Sequence, residues 1–277
     1  MSFNPGQPPG RSLRSVLFLA GVVAWAGCSR TAHVAGDAPT PQQSYKKGVA
    51  SLKEGNPDQA IGHFTEAIQL NGAYAEAYHG RGRAYLAQGQ PDRAIADFTE
   101  AIRLNSRFAQ AYYHRGVALI KKGDPAAALA DLNQAIELSP SLAEAYDARG
   151  SIYQARGLLD EAVDDFSRAI LNYSDLVQLE PQSADAYNHR AHAYLETGRF
   201  DRAIADYTEA IRLQPKNPAA YDRRGQAYAK KGDLDTALAD YRQALYPRGE
   251  RMIRWQRFRV SYIQSRCANP ILTQGAL

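Results

Sequence analysis

Cysteine is nearly missing from this chain of 277 residues, in which Cys28 and Cys267 are the only two. Two thiols cannot form a metal-binding cysteine cluster and allow at most one disulfide, so most of the stability must come from packing. β-Branched residues are also sparse, whereas alanine and tyrosine are frequent. This balance favours helices, and a composition of 45% hydrophobic and 22% charged residues is typical of a globular protein.

The N-terminal apolar run is short. It extends over the eleven residues Val16–Ala26, follows Arg11 and Arg14, and is followed by Gly27 and Cys28. Eleven residues are too few to span a bilayer as a helix, but they suit the hydrophobic region of a signal peptide.

The ending Ala26-Gly27-Cys28 resembles the lipobox of bacterial lipoproteins. The resemblance implies that residues 1–27 are a cleaved signal peptide, that Cys28 is lipidated, and that residues 28–40 are a flexible tether. Trp25 departs from the leucine that is usual at its position. Two other interpretations remain, an ordinary secretory signal or an unprocessed N-terminal membrane anchor.

A lipidated Cys28 would place the chain in a bacterial cell envelope, anchored to a membrane through its acyl chains. Because Ser29, not aspartate, follows Cys28, the resemblance further implies the periplasmic face of the outer membrane in a Gram-negative organism. Acylation of Cys28 would also leave Cys267 without an intramolecular disulfide partner.

Positive charge is concentrated at the two ends. The net charge is +4, but the tail from Pro247 holds six arginines against one acid, Glu250, and the leader holds Arg11 and Arg14 without any acid. The region between the ends is slightly acidic. The basic isoelectric point is therefore no argument for a nucleic-acid partner, and we expect none.

One segment occurs almost twice. Asp92–Leu104 reads DRAIADFTEAIRL and Asp201–Leu213 reads DRAIADYTEAIRL, 109 residues later. Tyrosines recur every 34 residues, except that Tyr146 and Tyr187 are separated by 41. Seven extra residues make almost two helical turns, so we predict a heptad inserted near 170–176 that lengthens one helix.

A period of 34 residues with several fixed positions resembles the tetratricopeptide repeat. Small residues recur at the eighth and twentieth positions, as in Gly82 and Ala94, and a large one recurs at the twenty-fourth, as in Phe98. The resemblance implies an all-α, right-handed α-solenoid of six helix-turn-helix repeats, each with a first helix A and a second helix B. The predicted repeats are residues 41–74, 75–108, 109–142, 143–183 with the heptad, 184–217 and 218–249.

The seventh and twenty-third positions pair opposite charges. In repeats 2 to 6 the seventh residue is arginine and the twenty-third is aspartate; in repeat 1 they are Lys47 and His63. We predict a ladder of Arg–carboxylate pairs, either between helices A and B of one repeat or to the next repeat. Independent, solvated charges are the alternative.

Helix A lines the concave side of the solenoid in this family, where ligands usually lie. Positions 2, 5, 9 and 12 of the repeats should face a partner-binding groove. The predicted groove residues are Glu76, His79, Arg83, Gln110, Tyr113, Glu144, Asp147, Ser151, Asp185, Asn188, His192, Asp222 and Gln226. The acids of the central repeats favour a partner segment with basic character.

The sequence offers no reactive constellation. His189, His192 and Asp185 share one helix, but a metal site needs a fixed third ligand and we expect two ordinary polar histidines. No Gly-rich phosphate loop and no nucleophile with its base is evident. We therefore expect no catalytic residue, metal, cofactor or small-molecule substrate.

The basic tail, residues 250–277, has three interpretations: a capping helix on the last repeat, an amphipathic contact to anionic lipid, or an irregular segment. For the whole chain we predict a non-enzymatic scaffold that binds protein or peptide segments. The alternatives are a cytosolic adaptor with an unprocessed N-terminus, or an enzyme with the repeats as a docking arm. The sequence does not indicate an oligomeric state.

Overall fold

The computed structural model describes residues 39–245. This part of the chain forms twelve α-helices and no strand. The helices are α1 (Pro41–Lys53), α2 (Pro57–Leu70), α3 (Ala75–Ala87), α4 (Pro91–Leu104), α5 (Ala109–Lys122), α6 (Pro125–Leu138), α7 (Ala143–Ala155), α8 (Leu159–Leu179), α9 (Ala184–Glu196), α10 (Phe200–Leu213), α11 (Pro218–Lys231) and α12 (Leu234–Leu245). The signal peptide, most of the tether and the tail 250–277 lie outside the described residues.

Local sequence sets the helix ends. Thr40 and Gln43 form a capping box at the start of α1, and the Asp124 side chain accepts a hydrogen bond from the backbone N–H of Ala127 at the start of α6. Asn56 occupies the equivalent place before α2, but its side chain makes no capping hydrogen bond. Gly123 ends α5 at φ +91°, a left-handed conformation that glycine adopts without a Cβ clash.

The helices pack as six consecutive pairs. The odd-numbered helices are the A helices and the even-numbered ones the B helices. Each B helix from α2 to α10 contacts both the A helix before it and the A helix after it, and α12 contacts α11. The predicted all-α class and helix-turn-helix architecture are therefore confirmed in residues 39–245. None of these helices is long and apolar enough to cross a bilayer.

The large residue at the twenty-fourth position fills the space between two A helices. Phe64 on α2 is fully buried between Gly48 of α1 and Gly80 of α3. A Cβ atom added to Gly48 or to Gly80 would lie 2.7 Å or 2.5 Å from the Phe64 ring. The small residues at these positions therefore allow the helices to approach closely.

The predicted Arg–Asp ladder is confirmed, and its pairs lie within single repeats. In each pair, the guanidinium of an arginine on helix A donates two parallel hydrogen bonds of 2.7–2.8 Å to the carboxylate of an aspartate sixteen residues later on helix B. The ladder consists of Arg81–Asp97, Arg115–Asp131, Arg149–Asp165, Arg190–Asp206 and Arg224–Asp240. Each aspartate is buried.

Each ladder arginine also reaches the preceding repeat. Nη1 of Arg81 donates to the hydroxyl of Thr65 on α2 at 3.2 Å, and Nη1 of Arg149 donates to Oδ1 of Asn133 on α6 at 2.7 Å. The guanidinium of Arg81 lies 5.6 Å from the ring centroid of Tyr78, one turn earlier, and this contact recurs in the other four repeats of the ladder. The ladder thus joins three helices at each step.

The extra seven residues of repeat 4 lie inside a continuous helix. α8 has 21 residues, whereas α10 has 14. In this helix Phe166 approaches Gly150 of its own repeat, while Ser174 accepts the hydrogen bond from Arg190 of the next one. On the other B helices, the residue that packs on the A helix of its own repeat and the residue that accepts from the next repeat's arginine lie close together. On α8 these two residues are two more turns apart, about 10 Å along the axis.

Candidate partner-binding groove

All thirteen predicted groove residues lie on A helices, from α3 to α11. They differ widely in exposure because a long helix face meets solvent only along part of its width. The exposed ones are Glu76, Arg83, Gln110 and Asp185; the half-buried ones are Tyr113, Glu144, Asp147, Ser151, Asn188, His192, Asp222 and Gln226; His79 is buried.

At the N-terminal end, His79 packs into an aromatic group. Its Nε2 lies 3.1 Å from Nδ1 of His114, and its ring contacts Phe98 and Phe108. Because the backbone carbonyl of Gln110 can only accept, Nδ1 of His114, 2.8 Å away, must carry the hydrogen. Nε2 of His79 then accepts from the same N–H group, so the ring of His79 is neutral.

Burial lowers the pKa of His79 to about 3 and that of His114 to about 4. For His79 the charges of His114 and Arg83 act in the same direction. Beside this pair, a cavity of ≈ 320 Å³ lies between α1 and α3, lined by Tyr45 and Leu52 among others. His79 therefore serves the packing of repeats 1 to 3 as well as the wall of this cavity.

In the centre, groove side chains of successive A helices contact one another. Nδ1 of His192 on α9 lies 2.9 Å from Oδ1 of Asp147 on α7, and its Nε2 lies 3.9 Å from Oε1 of Glu196. Gln154 of α7 donates to Glu196 at 2.7 Å, and Lys230 of α11 approaches Glu196 at 4.0 Å. These five residues form a central polar cluster across repeats 4 to 6.

Three members of this cluster were not among the predicted groove residues. Gln154 stands at the twelfth position of its repeat, a position that the helical periodicity also directs toward the groove. Glu196 and Lys230 stand at the thirteenth, one residue beyond that periodicity, so no spacing signal pointed to them.

Two tyrosine phenols in the same region have raised pKa values. Burial raises the pKa of the Tyr113 phenol, and the charges of Glu144 and then Asp147 raise it further. The pKa of Tyr173 is also raised, first by burial and then by Asp147 and Glu144. Tyr173 belongs to the inserted heptad of α8 and not to an A helix, so the repeat positions did not point to it.

The remaining predicted residues have local roles. The hydroxyl of Ser151 donates to the backbone carbonyl of Asp147 at 2.9 Å, and Gln226 donates to Asp222 at 2.8 Å. The ring of His189 stacks on Tyr173 with an interplanar angle of 13°. In residues 39–245 no group of three or more histidine, cysteine or acidic side chains is arranged to hold a metal ion.

Models of one family match most of the repeat region. One model described as a tetratricopeptide repeat matches residues 45–88 and 79–143, and a second matches residues 143–175. A model described as a TPR repeat matches residues 191–232. Together they cover more than half of the 277 residues. No curated protein matches the sequence.

Solved structures share the fold. A thermophilic TPR protein of Thermus thermophilus is 24% identical with a TM-score of 0.55, over 68% of this chain and 99% of that one. In the APC/C hetero-tetramer Cut9–Hcn1, a match with 18% identity and a TM-score of 0.64 covers 83% of this chain and 43% of that one. From its 34-residue period, its paired helices and these matches, the chain belongs to the tetratricopeptide-repeat family.

Proposed function

We propose that this protein is a non-enzymatic scaffold that binds a segment of a partner protein along the A-helix groove. The observation that carries the proposal is the central polar cluster. It connects α7, α9 and α11 on the groove side through Asp147, His192 and Glu196. A polar surface that continues across three repeats offers a partner segment several hydrogen-bonding and charged groups in one direction.

A crosslinking pull-down tests the groove. Membranes from cells with the wild-type protein are compared with membranes from cells with Asp147→Lys, which reverses one charge in the cluster. Asp175→Lys is the matched control, since Asp175 is exposed on the B helix α8. We expect Asp147→Lys to lose partners that both the wild type and the control retain. An unchanged partner set would overturn the groove assignment.

The same proposal includes a lipid anchor at Cys28. With about 0.8 kcal/mol per buried CH₂, two or three acyl chains would hold the protein at a membrane. Residues 29–40 would then give the repeats a reach on the order of 20 Å from that surface. Confinement raises the effective concentration of any partner at the same membrane, so the groove need not bind tightly.

Intact mass measurement separates the anchored protein from an unprocessed one. We expect the purified protein to begin at Cys28 and to carry the added mass of its acyl chains. Cys28→Ser should abolish both cleavage and the added mass. A wild-type protein that keeps residues 1–27 would support the adaptor with an unprocessed N-terminus.

A further inference from the structure

The cavity between α1 and α3 has an apolar wall at the N-terminal end of the groove. Tyr45, Val49 and Leu52 line it from α1, and the ring of Phe64 lines it from α2. The three α1 side chains are half-buried, so part of each remains accessible. We call this space of ≈ 320 Å³ the N-terminal cavity. Pockets for small ligands begin at about 300 Å³, so the cavity can accept one large side chain.

The repeat sequence explains why the N-terminal cavity lies here. Gly80, which lines it, stands at the sixth position of repeat 2, where repeats 3 and 5 have His114 and His189. The rings of these histidines pack against Phe98 and Tyr173 of the preceding repeat. Because glycine has no side chain to place there, the space between repeats 1 and 2 is left partly open.

Two cations line the N-terminal cavity, and none of its described lining residues is an acid. Lys53 of α1 and Arg83 of α3 face it from the two helices, and both are exposed. Within residues 39–245 neither side chain takes part in an ion pair or a hydrogen bond. His79 also lines the cavity and is neutral, because its Nε2 accepts from His114. The N-terminal cavity thus combines an apolar wall with two positive charges that no described carboxylate pairs with.

We propose that the N-terminal cavity binds a large apolar side chain of the partner segment, with an aspartate or glutamate side chain of the same segment against Lys53 and Arg83. The proposal rests on the proposed function and specifies the chemistry of its partner at this end of the groove. Transfer of the apolar side chain from water into the cavity supplies affinity. The carboxylate supplies the charge that complements the two cations.

The two ends of the groove differ in chemistry, which gives the groove a direction. At the fifth and ninth positions repeat 1 has Tyr45 and Val49, whereas repeat 4 has Asp147 and Ser151. A partner segment that follows the groove should therefore place its apolar and acidic residues over repeats 1 and 2, and its other polar residues over repeats 4 to 6. A basic residue over repeats 1 and 2 would meet two unpaired cations, which repel it.

Selection from a random peptide library displayed on phage tests the N-terminal cavity. The purified full-length protein is compared with Leu52→Trp, whose larger side chain fills the cavity. We expect the peptides that only the wild type retains to share a leucine, isoleucine, methionine or phenylalanine beside an aspartate or glutamate. Retention of the same peptides by both proteins, or peptides without this pair, would overturn the proposal. Lys53→Gln and Arg83→Gln provide the test if Leu52→Trp does not fold.

Fluorescence anisotropy with the most enriched peptide, labelled and blocked at both ends, measures each contribution. Replacement of its apolar residue by alanine should weaken binding at least about tenfold, because the buried apolar surface is lost. Lys53→Gln and Arg83→Gln should each weaken binding about threefold, as expected for exposed ion pairs. Lys46→Gln is the matched control, since Lys46 is exposed on α1 but does not line the cavity. The three charge variants should keep the wild-type urea midpoint, which a purely structural role of the two cations would change.

The outcomes separate the N-terminal cavity from the groove. No enriched peptide, or unchanged affinity in both Lys53→Gln and Arg83→Gln, overturns the inference about the cavity. If Asp147→Lys still changes the crosslinked partners in that case, the groove function stands and only the apolar and acidic anchor is wrong. If the partners are also unchanged, both proposals fall.

Discussion

The guanidinium of Arg149 and the carboxylate of Asp165 form a bidentate pair, with 2.8 Å from Nε to Oδ2 and 2.7 Å from Nη2 to Oδ1. The side chain of Asp165 is only 6% exposed and that of Arg149 19%. Such a pair fixes the angle between helices A and B, because a planar guanidinium makes two parallel hydrogen bonds to a carboxylate in only one orientation. Since removal of a buried charge's partner is costly, the ladder should be measurable in stability.

Arg149→Gln should destabilise the protein by about 3 kcal/mol, because the buried carboxylate of Asp165 loses its cation. The double variant Arg149→Gln/Asp165→Asn should be more stable than the sum of the single variants predicts, with a coupling of about 1–3 kcal/mol. Urea unfolding of the four proteins measures this coupling.

Arg212 provides the control for the Arg149 and Asp165 variants. It pairs with Glu209 on the surface of α10, with its side chain 60% exposed. Arg212→Gln should barely move the urea midpoint, because exposed ion pairs contribute little. Equal losses in Arg149→Gln and Arg212→Gln would show that the ladder is no stronger than a surface pair.

Gly80→Ala should destabilise repeats 1 and 2 by about 1–3 kcal/mol, because the new Cβ overlaps a rigid ring. The overlap follows from the 2.5 Å between that Cβ position and Cε1 of Phe64. Gly116→Ala is the matched control, since its Cβ would lie 3.2 Å from Cγ of Leu132. In Gly116→Ala, the gain of about 0.5–1 kcal/mol from the higher helix propensity of alanine offsets the cost of the closer contact with Leu132. Thermal unfolding should distinguish the two, and a similar midpoint for both would contradict the packing described for Phe64.

Stability should fall on acidification below the usual histidine pKa of 6.5, because His79 and His114 are neutral in the folded protein. Their pKa values are lowered, so the unfolded chain takes up protons that the folded chain does not. The stabilising contribution is complete above pH 6.5 and is lost progressively toward about pH 4 for His114 and about pH 3 for His79. Each histidine contributes a slope of at most about 1.4 kcal/mol per pH unit.

Urea unfolding between about pH 7 and pH 5 measures this slope. The double variant His79→Gln/His114→Gln should have a shallower dependence on pH than the wild type. A double variant with the wild-type slope would mean that other groups cause the acid sensitivity.

Deletion of residues 170–176 should give a folded protein with a regular repeat 4. The deletion joins Ala169 to Val177 and restores the spacing of α10, and seven residues turn a helix by almost two full turns, so the apolar face stays aligned. Ser167 would then take the place of Ser174 opposite Arg190. Circular dichroism and a cooperative melt should remain, whereas deletion of five residues from the same segment should abolish the cooperative transition.

The sequence predicted the ladder and the helical insertion for a common reason. Both depend on periodicity alone: Arg81 and Asp97 recur with the repeat, and seven residues fit a helix of 3.6 residues per turn. It did not predict the stacking of Tyr173 on His189, because a tyrosine at a core position leaves the direction of its ring unspecified. Glu196 and Lys230 were missed because their reach depends on side-chain length and rotamer, which no spacing rule encodes.

Repeat 1 is the one repeat without a ladder pair, since Lys47 and His63 stand at the two ladder positions. It is tied to repeat 2 by the hydrogen bonds from Arg81 to Thr65 and from Gln88 to Asp58, together with the packing around Phe64. In a linear array, where each unit touches only its neighbours, opening starts at the least cross-linked unit. Amide protons of α1 and α2 should accordingly exchange with deuterium before those of α5 to α10, so repeat 1 would be the first to open if the proposed lipid anchor at Cys28 pulls on the chain.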